Sequence, residues 1–162
     1  MKRLSILQRR MSRKQKGSKN KDKSRLALSL LHEKISNQRA DFQHKLSSKL
    51  ISENQAVALE TLNVIGMLKN HCLSQAISDA SWSSFVTKLE YKAEWCGKTI
   101  LRIGQFEAST KICSLCGHYK SDMTLAIREW QCPDCNANHD RDINVAINIK
   151  KFALDKQNLI GI

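Results

Sequence analysis

The sequence predicts an α/β fold with parallel strand pairing, carrying a four-cysteine insert and preceded by a basic arm. Three observations carry this expectation. Short apolar runs of strand length alternate with helical periodicities, the pattern of βαβ units. Two Cys-x-x-Cys pairs, Cys113/Cys116 and Cys132/Cys135, stand fifteen residues apart. Eleven of the 27 Lys and Arg fall within residues 1–25, against a single acid there, Asp22. The 162 residues suffice for one domain, or one domain with a small satellite.

The basic arm comes first. Ser12–Ser24 lacks any large apolar residue, so residues 1–25 are expected to stay solvated, with disorder. Most of the formal charge of +12 sits here. Such an arm suits phosphate backbones, because each neutralised phosphate releases counterions. Arg9, Arg10, Arg13, Lys14, Lys16, Lys19 and Lys21 are therefore the expected nucleic-acid contacts. Phosphate contacts position a partner without reading its bases, so no sequence specificity follows. A solubilising tail is the plainer alternative.

From about Lys23 to Glu53, Leu28, Leu31, Ile35, Phe42, Leu46 and Leu50 recur at helical spacing along one face. Ala56–Leu59 reads as a buried parallel strand ending on an acid, Glu60. Ser81 stands where it would cap a helix carrying Trp82, Phe85, Val86, Leu89 and Ala93, stopped near Gly97. Thr99–Phe106 reads as a second strand, and Arg141 to Leu154 as a final helix. The divisions that result are residues 1–25 (arm), 26–108 (α/β region), 109–138 (cysteine insert) and 139–162 (last segment and C-terminal helix).

The cysteine spacing is that of a structural zinc site, in which two knuckles supply four thiolates to one closed tetrahedron. Gly117 after the first knuckle and Asn136 after the second both tolerate the left-handed backbone such turns need. A redox pair would need only one Cys-x-x-Cys, and iron–sulfur spacings differ from this one. Four thiolates around Zn²⁺ leave a net negative charge, which Lys111, Lys120 and Arg128 stand near enough in sequence to offset. Cys72 and Cys96 read as ordinary thiols.

Composition removes several classes. One Pro and six Gly exclude collagen-like chains, and 41% hydrophobic residues argue against wholesale disorder. No apolar run approaches a membrane span, and Leu4–Leu7 is too short for a signal-peptide core. The expectation is a cytoplasmic protein with reduced cysteines and no membrane partner.

Among the carboxylates, Glu60 ends a buried strand, where α/β sheets present ligand-binding groups. Asp140 and Asp142 flank Arg141 at the start of the last helix, where capping by Asp is the common role. Mg²⁺ takes one or two carboxylates plus phosphate, so Glu60 and Asp142 on neighbouring elements are candidate ligands.

The order of motifs resembles the OrfB/TnpB family of insertion-sequence proteins, relatives of RNA-guided nucleases. The residues that carry the resemblance are the arm Arg9–Asn20, the run Ala58–Asn63, Ser78–Trp82, Tyr91–Ala93, the paired knuckles, and His139–Ile149 with its Asp140-Arg141-Asp142-Ile143-Asn144 core. The resemblance implies a RuvC-like ribonuclease-H fold with an inserted zinc ribbon, whose three acids hold two Mg²⁺ ions and cut DNA. It places the second acid at Glu60 and the third at Asp142, with Asp140 its less favoured neighbour. It also implies DNA and RNA as partners, and two metals flanking one phosphodiester without a protein nucleophile. The family's first acid lies upstream of the arm, and Asp22 has no strand around it. An incomplete fold, truncated before that acid, is therefore expected, together with an upstream fragment as a potential partner. Three readings follow. One is a DNA endonuclease part whose Mg²⁺ site needs the missing Asp, and another is a non-catalytic, nucleic-acid-binding zinc-ribbon fragment. A ribosome-associated basic zinc protein is the third, and gives no reason for Glu60 and Asp142.

Overall fold

The computed structural model describes residues 2–105, 107–124 and 126–156. Phe106, expected in the second strand, lies outside the described residues. The chain divides into two compact units, Met1–Lys49 and Leu50–Ile162.

The first unit is helical, and the expected disorder of the arm gives way to helix α1, Lys2–Ser12, and helix α2, Lys19–Glu53, which continues into the second unit. The physical reason is local. Lys, Arg, Leu, Gln and Met are strong helix formers, and neither a proline nor a β-branched run interrupts them. Leu4, Leu7 and Met11, spaced three and four apart, form the half-buried face of α1. A turn follows in which Gly17 adopts φ +81°, and Ser18 starts α2 by accepting the Lys21 N–H on its hydroxyl at 3.2 Å. Along α2 Leu28 is buried, but Phe42 is 64% exposed, and Gln43 beside it takes the buried position. The apolar stripe thus breaks at Phe42, where sequence periodicity alone placed it inward.

The second unit is built on two parallel strands, β1 (Ala56–Glu60) and β2 (Thr99–Ile103), paired in register from Ala56↔Thr99 to Glu60↔Ile103. The crossover between them runs through the short helices α3 (Val64–Leu68) and α4 (Ser74–Ala80), then the longer α5 (Trp82–Trp95). Ser81 does precede α5, but with φ +49° its hydroxyl bonds back to the Ser78 carbonyl and caps nothing. Leu89 and Ala93 of α5 are buried with Ile51, against Leu50, Val57, Leu59, Phe85 and Ile100. On the sheet's other cluster, Leu101, Ile103 and Ala153 pack with Ala58, Ile149 and Phe152, which seats the last helix, α6 (Arg141–Lys156). Among the described residues β1 and β2 are each other's only ladder partners, so each keeps an open edge.

Between β2 and α6 lies the cysteine-bearing segment. Its strands β3 (Glu129–Gln131) and β4 (Asn138–Asp140) pair antiparallel around the second knuckle. An Ile112↔Tyr119 bridge closes the first. Each knuckle is therefore wrapped by its own short antiparallel pairing.

Candidate metal centre and carboxylate sites

The sulfur atoms of Cys113, Cys116, Cys132 and Cys135 all lie within 4.8 Å of one another. Cys113 and Cys135 are 3.7 Å apart, and Cys116 and Cys132 are 3.5 Å apart. A zinc tetrahedron with bonds of about 2.3 Å has edges of about 3.8 Å, so the four sulfurs fit that ion. Each knuckle is closed in the same way. Gly117 N–H donates to Cys113 O at 3.0 Å and Asn136 N–H to Cys132 O at 2.9 Å. Gly117 at φ +81° and Asn136 at φ +57° take the left-handed turns expected of them. Beneath the centre, Trp130 packs on Cys113 and Cys132. His139 stacks near it at 4.8 Å and brings Nε2 to 3.1 Å from Cys113 Sγ.

The thiols differ in how readily they lose a proton. At Cys116 the His118 backbone N–H favours the thiolate, but burial and the neighbouring thiols together outweigh it and push the group up to about 12. Burial acts against the Cys132 thiolate, yet the Cys135 and Asp134 backbone N–H groups and the adjacent thiols bring it down to about 6. Zinc binds thiolates, so loading the four cysteines releases whatever protons they still hold. Lys111, Lys120 and Arg128 have other partners than the thiolates. Lys111 sits over the Tyr119 ring, Lys120 pairs with Asp122 and Arg128 with Asp142. Charge near the sulfurs is met instead by backbone N–H groups.

The carboxylates occupy two different settings. Glu60 ends β1, half-buried, and makes no hydrogen bond or ion pair with another described residue. It opens onto a cleft of about 430 Å³ lined by Leu59, Thr61, Leu62, Trp82 and Arg102 among others, with no second acid. Asp142 lies in the first turn of α6, with its side chain 71% exposed. Arg141 Nε and Nη2 donate to it at 3.3 and 3.2 Å, and Arg128 Nη1 at 3.5 Å. Asp140 instead caps α6, accepting the N–H groups of Asp142 and Ile143 at 2.9 and 3.0 Å. Asp142 is not among the residues that line the cleft beside Glu60. The part of α6 that packs near Ile103, the register partner of Glu60, is Ala153. Asp142 lies eleven residues before it, about 16 Å of helix.

Of the expected nucleic-acid contacts, Arg9, Arg10, Arg13, Lys16 and Lys19 are exposed, and Lys14 and Lys21 are half-buried. Arg10, Arg13, Lys14 and Lys23 line one groove with Leu7 and Ala27.

Sequence reasoning missed Asn144 and Asn148. Both are buried, and they bind the backbone of the first knuckle. Asn144 accepts the Ser114 N–H and donates to Ile112 O, each at 2.8 Å. Asn148 donates to Ser109 O at 2.8 Å and Ile112 O at 2.7 Å. Their signal was available. Two Asn four apart inside an apolar helix need partners, because Asn is otherwise an unfavourable interior residue.

The comparisons with known proteins agree with this arrangement. Residues 1–71 match the family model OrfB_IS605, described as "Probable transposase", and residues 82–149 match "Cas12f1-like, TNB domain". A "Putative RNA-guided DNA endonuclease" of Streptomyces pristinaespiralis is 46% identical over 91% of this chain and 36% of its own length. The "Putative RNA-guided DNA endonuclease InsQ" of Escherichia coli K12 is 29% identical over 91% of this chain and 40% of its own. The chain thus spans well under half of these relatives. In fold, it is similar to Cas12f1 in a complex with sgRNA and target DNA (TM-score 0.64, 19% identity, 91% of this chain and 40% of that one). With the knuckles, the Asp140-Arg141-Asp142 element and the basic helices all inside the matched spans, the chain belongs to the OrfB/TnpB family of insertion-sequence proteins.

Proposed function

We propose that this chain is the zinc-ribbon and carboxylate-bearing part of an RNA-guided DNA endonuclease, of incomplete RuvC-like fold. In this reading Glu60 and Asp142 are two of three catalytic acids. The cysteines hold a structural Zn²⁺, and Arg9, Arg10, Arg13, Lys14, Lys16, Lys19 and Lys21 contact the phosphates of DNA or RNA. The observation that carries it is Glu60: an unpaired carboxylate at the C-terminal end of a parallel strand, open to a cleft. A divalent metal in a completed site would activate water and stabilise the leaving oxygen. In this reading a third carboxylate completes the site, since Glu60 has no acidic companion among the residues lining its cleft.

The isolated chain is therefore expected to bind one zinc and to bind nucleic acid with marked salt dependence, without cutting DNA in Mg²⁺. Incubation with plasmid and single-stranded DNA at several Mg²⁺ concentrations tests this. Cleavage that Glu60→Gln or Asp142→Asn abolishes would overturn the inactive reading of the lone chain. Mixing with a fragment that supplies an additional acid is expected to restore cutting, and the same two substitutions are expected to remove it. If the mixture never cuts, the endonuclease reading falls and the non-catalytic binding module stands.

A further inference from the structure

We propose that Asn144 and Asn148 are positioning residues that make metal occupancy at the four cysteines a condition for the orientation of Asp142. The cysteine ligand Cys113 lies between Ile112 and Ser114. One carboxamide, that of Asn144, takes both the carbonyl of the first and the N–H of the second. Asn148, one turn on, ties the same Ile112 carbonyl to that of Ser109. Lys151 closes the row on the Ser114 carbonyl. Asn144, Asn148, Ser109 and Ser114 are all at most 3% exposed, so none of these groups has water as an alternative partner. An ion that fixes Cys113 Sγ fixes the peptide groups the two amides bind. The amides in turn hold that backbone in the shape the ion needs. Each stabilises the other, and the coupling is reciprocal.

The same ribbon grips the helix start a second time. Arg141, nearly buried, donates its N–H to Arg128 O at 2.8 Å and its Nη1 to Ile127 O at 3.2 Å. The two guanidiniums that hold Asp142 are those of Arg141, itself bonded to Ile127 O, and of Arg128, a residue of the ribbon. Loss of the ion loosens the first knuckle, the Asn144 and Asn148 clamps, and then the turn that aims Asp142. That Asp142 is a functional acid rests on the reading proposed above; the coupling between zinc and the helix start does not.

The test uses the whole chain. Zinc affinity is measured by competition with a chromogenic chelator for the parent, Asn144→Ala, Asn148→Ala and Leu89→Ala. The two Asn variants are expected to bind zinc about 10–100-fold more weakly, the loss typical of groups that orient a metal's ligands. Leu89→Ala, which damages the separate core cluster of α5, is expected to lower stability and leave zinc affinity unchanged. Hydrogen exchange on the unmodified chain avoids any folding defect of a variant. Removing zinc with a chelator is expected to speed exchange across residues 141–151 while α5 stays protected. Asn variants within about twofold of the parent's zinc affinity, or a helix start whose exchange ignores zinc, would overturn the proposal. Neither readout involves Mg²⁺, nucleic acid or cleavage, so its failure is separate from that of the endonuclease reading.

Discussion

Four sulfur atoms drawn from two knuckles lie within 4.8 Å of one another, whereas Glu60 and Asp142, a strand end and a helix start of the same unit, sit in different surroundings, one beside a cleft and the other between two guanidiniums on the surface. The contrast is between local and long-range convergence. Each Cys-x-x-Cys is fixed by one turn and its own short hairpin, so only one further contact brings the two together. A carboxylate pair on separate elements converges only through the packing of strand and helix, and among the described residues β1 and β2 have no ladder partner but each other. The lesson is that a site built from adjacent turns is specified by a few local bonds, while one shared by a strand end and a helix start depends on the packing between them.

The strongest way to break this comparison is to remove one sulfur. Cys132→Ser is expected to abolish stoichiometric zinc binding, because the closed site has no spare ligand. Residues 109–140 should lose exchange protection, while the cluster of Ile51, Leu89 and Ala93 keeps its own. Zinc content by atomic emission, with exchange mass spectrometry, reads both. Retention of a full zinc equivalent would show that another group, such as His139 beside Cys113, takes the vacated place.

A smaller perturbation comes from the other side. Leu89 is fully buried against β1 and β2, so Leu89→Ala is expected to cost about 2–5 kcal/mol in denaturant unfolding. Zinc content is expected to stay at one equivalent. If zinc is lost along with the core, the ribbon and the sheet form one cooperative unit, and the contrast drawn above disappears.

The parts of this chain that sequence reasoning reached are those set by short-range rules. The strand ending at Glu60, its parallel partner from Thr99, the helix from Arg141 and the left-handed turns at Gly117 and Asn136 each follow from pattern or backbone sterics within a few residues. The misses share a different cause. Phe42 has the right period and still faces outward, because the pattern names a face without saying whether anything covers it. The arm was read as solvated and disordered because Ser12–Ser24 lacks large apolar residues, but helix propensity and a serine cap order residues 2–12 and 19 onward. Lys111, Lys120 and Arg128 were assigned to the thiolates on nearness in sequence, and each prefers an aromatic ring or a carboxylate. Asn144 and Asn148 look like ordinary helix positions until the segment they clamp, some 30–39 residues earlier, is in place.

The smallest expected effect separates Asp140 from Asp142, which sequence alone left adjacent candidates for one role. Asp140 accepts two backbone N–H groups of the first turn of α6, which leaves those donors unpaired if it is removed. Asp140→Ala is expected to cost about 1 kcal/mol, the usual loss for an Asp N-cap. Asp142 bonds only to guanidiniums, and its side chain is 71% exposed, so water and salt screen those pairs. Asp142→Asn keeps the size and a carbonyl acceptor, and is expected to leave the unfolding midpoint closer to the parent's than Asp140→Ala does. A carboxylate that contributes little to stability, held on the surface by two cations, is free for a role other than support, whereas Asp140 commits its Oδ1 to two N–H groups of the helix. In the reconstituted mixture the order should reverse, with Asp142→Asn the more damaging to cleavage. Equal destabilisation by the two substitutions would make Asp142 a second structural cap and remove the ground for choosing it.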